Sequence, residues 1–218
     1  MDKFYRSKYI EGSDTPLLRG ILHCLFTVAM LYFIPYVYYM TTILKFAAYM
    51  MILSSYICST IYHCVRLRYK YELLTRIADH MAIHHHIFAA CVGLVTNNIY
   101  CYITVGIYIA NYLLDVKRCL SCYKDTNHDY FVSRKHILHY VTSMALCTTI
   151  VIIDAVIHKN YYSFVMQAII LGIYIIGQLY YCYSLDDNYK PHHIWSNHET
   201  FHLFVVAGTI GVLCTLFL

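Results

Sequence analysis

The sequence predicts an all-α fold, a bundle of seven transmembrane helices, on three observations. Hydrophobic residues make up 60% of the chain and charged residues only 13%, a balance outside the soluble range. Residues 20–44 and 46–65 carry no formal charge, and each run is long enough, at about 1.5 Å per residue, to cross roughly 30 Å of hydrocarbon as a helix. The basic residues fall in the segments between such runs. Residues 1–19 read as a cytoplasmic amino-terminal segment and 20–218 as one membrane domain.

The first run, 20–39, follows the mixed-charge stretch MDKFYRSKYIEGSDTPLLR and continues through Pro35, too far for the short core of a cleaved signal peptide, so it reads as a retained anchor. The second, 46–64, closes on STIYH. A third, 79–97, is opened by Asp79, and a fourth, 99–114, is divided from it by the turn signal NNIY at 97–100. If that division fails, the count is six. The fifth, 136–157, and the sixth, 162–185, follow, the latter with Gly172 and Gly177 suggesting close helix packing. The seventh, 200–218, is introduced by HETFH at 198–202.

Of the 16 lysines and arginines, only Lys45 and Lys159 fall on one side of this topology. The excess of positive charge on the other side places the amino terminus in the cytoplasm and the carboxyl terminus outside the cell or in a lumen. The chain is therefore expected to be an integral multi-pass membrane protein. A net charge of +4 without a basic stripe argues against nucleic-acid binding. Ten cysteines, most of them inside apolar runs, form no disulfide framework, and Cys119 and Cys122 read as free surface thiols. The 25 tyrosines fit membrane interfaces before they fit a ligand pocket. Asp154 and Gln167 are isolated polar residues in apolar runs, too few for a pore or a transport path.

The same topology brings three run ends to one depth. His63 ends the second run, Asp79 begins the third, and His198 and His202 begin the seventh. His198 and His202 are one turn apart, so both imidazoles can reach one ion. His63 is the natural third ligand, and three nitrogens leave zinc one open position for water. Ser59, one turn before His63, has a hydroxyl that can bond that water or Asp79. Asp79 reads as the group that holds the water and takes its proton, with a helix cap as the alternative. HETFH matches H-E-x-x-H, the zinc-protease pattern. Yet LFVVAGTIGVLCTLFL after His202 offers no further ligand, so the third must come from upstream. Glu199 is a base, a partner behind the ligands or an exposed charge, and His80, His84 and His139 are reserve ligands. No organic cofactor is indicated.

STIYH, ADHMAI and WSNHETFHLFVVAG resemble the progestin and adiponectin receptor family, including its haemolysin III-like branch. The resemblance runs from about Tyr9 to Leu218, with YIEG and YKPHHIW as further agreement. It implies seven helices and zinc held by His63, His198 and His202, with Ser59 matching the family's serine and Asp79 the aspartate associated with the zinc water. The chain departs from the family at GILH, where only His23 remains of an expected Asn and Thr-His pattern, and at IFAACVG, where a glycine-containing segment is usual. For function the resemblance implies a zinc-dependent hydrolase of a ceramide-like lipid amide, with a membrane lipid as its partner. The alternatives are a non-catalytic zinc-stabilised receptor or regulator and a membrane-lytic protein.

Overall fold

The computed structural model describes residues 18, 20–65, 69–125, 134–186 and 197–217. They form eight helices: α1 (Ile21–Met40), α2 (Ile43–Cys64), α3 (Tyr69–Met81), α4 (Ile83–Val92), α5 (Asn98–Asp125), α6 (Arg134–Ile157), α7 (Tyr161–Asp186) and α8 (Asn197–Leu216). No strand occurs among the described residues. Most of the expected amino-terminal segment, 1–17 and 19, lies outside them. Six helices, α1, α2 and α5 to α8, are long and apolar enough to cross a membrane. The chain is an integral multi-pass membrane protein.

Helical periodicity decides what each span buries. On α1 the buried residues are His23, Thr27, Met30 and Val37, one stripe at steps of three, four and seven. The other faces expose Leu25, Val28 and Tyr32. On α2 the stripe includes Tyr49, Ile52, Tyr56, Ser59 and His63. Apolar side chains thus point outward while His84, Asp115, Asp154 and Glu199 are buried. That inversion suits lipid outside and partnered polar groups within. Thr42 caps α2 by accepting from the Lys45 N–H, and Asn97 and Asn160 cap α5 and α7 through the N–H groups of Ile99 and Ser163.

The expected third run is not one continuous helix. Its first residues finish α3, the helix breaks at Ala82, and the remainder is the ten-residue α4. The His85 N–H bonds the Ala82 carbonyl three residues back, a tightened turn at the junction. Phe88 to Val92 are all buried, and α4 packs against α2, α5, α6, α7 and α8. A helix packed against so many others belongs in the centre, and its length need not match the bilayer. The turn before α5 falls at 93–97, slightly earlier than NNIY suggested, and α5 runs on to Asp125 instead of stopping near 114.

Two glycines of α8 and one of α7 allow those helices to mesh. A Cβ on Gly208 would lie 2.7 Å from the Tyr174 ring, and one on Gly177 would lie 2.6 Å from Phe204 Cβ. Gly172 differs from the packing expectation, since a Cβ there meets nothing within 4 Å. Cys119 is fully buried, which corrects its reading as a surface thiol, and Cys122 lies outside the described side chains. The polar residues of α6 and α7 are used in packing. Gln167 donates to the Thr148 hydroxyl at 2.8 Å, and the Thr96 N–H and O–H both donate to Asp154, at 2.7 and 2.8 Å.

Candidate metal centre

Four helix ends meet where α8 begins. Gly20 precedes α1 with φ of 74°, and a Cβ there would lie 2.7 Å from both His63 Cβ and Cys64 Sγ. Only glycine combines that left-handed backbone with so close an approach. The start of α1 is thereby seated on the last turn of α2. The first two turns of α8 bring His198, Glu199 and His202, and the last turn of α3 brings Asp79.

His63, His198 and His202 each place a ring nitrogen so that the three lie within 4.8 Å of one another. Their ring centroids are 5.0 Å apart for His63 and His198, 4.9 Å for His63 and His202, and 4.4 Å for the two α8 histidines. Zinc–nitrogen bonds of about 2.0–2.1 Å at tetrahedral angles separate ligand nitrogens by roughly 3.3 Å. A small inward movement of the rings would meet that spacing. His63 and His202 are buried and His198 is half-buried. Three imidazoles suit zinc, copper, iron or nickel. The group is compatible with a metal site, and the donor set fits the expected ion.

The Asp79 carboxylate lies beside this cluster, with Oδ2 3.8 Å from His63 Nε2 and 4.0 Å from His80 Nδ1. Ser59 is buried on α2, one turn before His63. Glu199 is 1% exposed, which removes its reading as an exposed charge. Burial in the first turn of α8 puts its carboxylate near the positive end of the helix dipole.

Two of the reserve histidines have partners outside the cluster. His80 Nδ1 is 2.9 Å from the Arg76 carbonyl. His84 Nε2 is 3.3 Å from Asp115 Oδ2, and Tyr140 donates to the same oxygen at 3.0 Å. The side chain of His139 lies outside the described residues. His23 was recognisable in the sequence only as a remnant of a family pattern, yet it is 4% exposed and its Nε2 contacts Nδ1 of His202. Its one sequence signal is the spacing GILH, which sets an imidazole three residues after the glycine that seats α1.

Comparison with known proteins gives one match. A family model described as haemolysin-III related matches residues 13–213. No curated protein and no solved structure matches the chain.

Proposed function

We propose that this chain, which belongs to the haemolysin-III related family, is a seven-span membrane protein holding zinc at the cytoplasmic end of its bundle and hydrolysing a lipid amide there. The seventh crossing is α3 and α4 taken together. Contacts at the two ends of the bundle support that count. Gly20 and His198 lie at the His63 end, whereas Gly93 approaches Thr215, 17 residues or about 25 Å along α8. The charge asymmetry of the loops supports a cytoplasmic amino terminus.

The observation that carries the reading is the placement of a carboxylate 3.8 Å from one of three clustered imidazoles. Zinc would polarise an amide carbonyl and ease the ionisation of water. Asp79 then accepts the proton of the attacking water and delivers it to the leaving nitrogen. Ser59, through its hydroxyl, orients the water or the carboxylate. The substrate class, a ceramide-like amide entering from the membrane, follows from a site built into a lipid-facing bundle and from the family resemblance.

The alternative of a non-catalytic, zinc-stabilised receptor draws on a different observation. Rings crowd the cluster, with Tyr62 4.7 Å from His63 and Tyr181 5.7 Å from His198 between centroids. Metal analysis of detergent-purified protein, with His63→Ala, His198→Ala and His202→Ala alongside, tests the site. Stoichiometric zinc lost in each variant is the expected result. Fatty-acid release from ceramide, abolished in Asp79→Asn with its zinc retained, supports the hydrolase. Bound zinc with no release by the native protein favours the receptor.

A further inference from the structure

We propose that His23 is the positioning residue of the metal centre: it accepts the Nδ1–H of His202 and so fixes which nitrogen of His202 faces the ion. This rests on the reading that the cluster holds a metal. The contact between His23 Nε2 and His202 Nδ1 pairs two ring nitrogens of different helices, α1 and α8. A neutral imidazole carries one proton, so a bond between two such nitrogens needs one donor and one acceptor. With Nδ1 of His202 engaged by His23, Nε2 is the nitrogen left to join His63 and His198. His202 must then be the Nδ1–H tautomer, and His23 accepts through Nε2 and carries its own proton on Nδ1. Partners of this kind behind a ligand lock the ring's orientation and make it a stronger donor to the metal.

The surroundings of His23 suit that work. Its ring meets His202 edge-on, with centroids 4.0 Å apart and planes at 90°, and packs 5.1 Å from Tyr56. Tyr56 is itself held, donating to the Thr209 hydroxyl at 2.9 Å. Thr209 bonds His86 at 3.2 Å, and His86 bonds Ser55 at 2.7 Å. Three helices, α2, α4 and α8, therefore brace the ring that braces His202. At its other end the first turn of α1 is fixed by Gly20 against His63. One short segment of α1 thus sets the relation between ligands on α2 and α8 while supplying no ligand itself.

Two variants separate hydrogen bonding from packing. His23→Gln keeps an acceptor oxygen at about the reach of Nε2, and His23→Leu fills similar space without one. Zinc affinity is measured by chelator competition in detergent. His23→Leu is expected to bind about 10–100-fold more weakly than the native protein, the usual loss for such a partner, and His23→Gln to recover most of it. Equal affinity of His23→Leu and the native protein overturns the proposal, as does equal weakness of both variants. Nitrogen-15 NMR of histidine-labelled, zinc-loaded native protein tests it without any variant. A proton on Nδ1 of His202 supports the assignment, and a proton on Nε2 overturns it. Native protein without stoichiometric zinc overturns the metal reading and this inference together, whereas native zinc binding unaffected by His23→Leu overturns this inference alone.

Discussion

Gly20→Ala isolates the way α1 is seated on the metal centre. At φ of 74° an L-residue pays about 1–2 kcal/mol for the left-handed backbone. The added methyl would also lie 2.7 Å from His63 Cβ and 2.7 Å from Cys64 Sγ, with the His63 carbonyl carbon at 3.4 Å. A Cβ and a main-chain atom cannot swing aside as a flexible side-chain tip can, so α1 and the end of α2 must separate, at about 1–3 kcal/mol for overpacking. Together the two effects destabilise by about 2–5 kcal/mol. At 2–4 °C per kcal/mol for a chain of this size, the apparent melting temperature in detergent falls by of order 10 °C. If His63 is a ligand as proposed, zinc binding weakens too, because the residue displaced is one of the three clustered imidazoles. Adding Cys64→Ala removes one of the two collisions and restores part of the loss, while the backbone strain remains. Gly20→Ala protein that melts with the native protein and binds zinc equally well would refute the reasoning.

Five further outcomes follow from the packing and the proposed metal. Gly208→Ala forces a methyl to 2.7 Å from the Tyr174 ring and lowers stability by about 1–3 kcal/mol. Gly172→Ala, with open space around it, is neutral or gains up to about 1 kcal/mol from helix propensity; comparing the two melting curves checks the opposite signs. Asp154→Leu strands the Thr96 N–H and costs about 1–3 kcal/mol, more than Thr96→Val, which keeps that main-chain bond to Asp154; zinc content, assayed in parallel, stays native in both. Asp115→Leu alone or His84→Phe alone destabilises by about 1–3 kcal/mol by stranding its buried partner, and the double variant costs less than the two singles summed; a double-mutant cycle in melting temperature measures the coupling. Removing the metal with a chelator is expected to raise hydrogen exchange in the last turn of α2 and the first of α8 before it does so where Gly208 and Tyr174 mesh.

The spans were legible because hydrocarbon imposes a length and forbids charge, and those two constraints act on each run separately. His63, His198 and His202 were legible because a four-residue spacing and a shared depth are both readable from one chain. Asp79 followed from the same depth argument, and the structure brings it to His63. Other features depend on partners in three dimensions. The break at Ala82 has no proline or glycine to announce it, and α4 packs against five other spans, so burial rather than a solvent-facing stripe sets its pattern. Glu199 sits beside a loop in sequence, but its burial depends on how α8 packs. His23 was the hardest to see: a lone histidine in an apolar run has no periodicity of its own, and its role appears only once α1 is laid against α8.

Within lipid, helices gain little from hiding apolar surface from one another, so association must come from close packing and polar bonds. Several junctions of this bundle show one or the other. The Tyr49 hydroxyl donates to the Met30 carbonyl at 2.6 Å between α2 and α1, and Thr27 and Thr60 bond at 3.2 Å nearby. Glycines mesh α7 with α8, and Asp115 ties α5 to α4 and α6. The contact of α2 with α8 is less extensive than that of α7 with α8, and it is here that three imidazoles converge. An ion held by all three would join the second helix of the chain to the last where protein contacts are few. Such an ion would hold these helices together whether or not it also served the proposed hydrolysis. Three nitrogens would leave a tetrahedral ion one position free, and that position is the one the proposed hydrolysis needs.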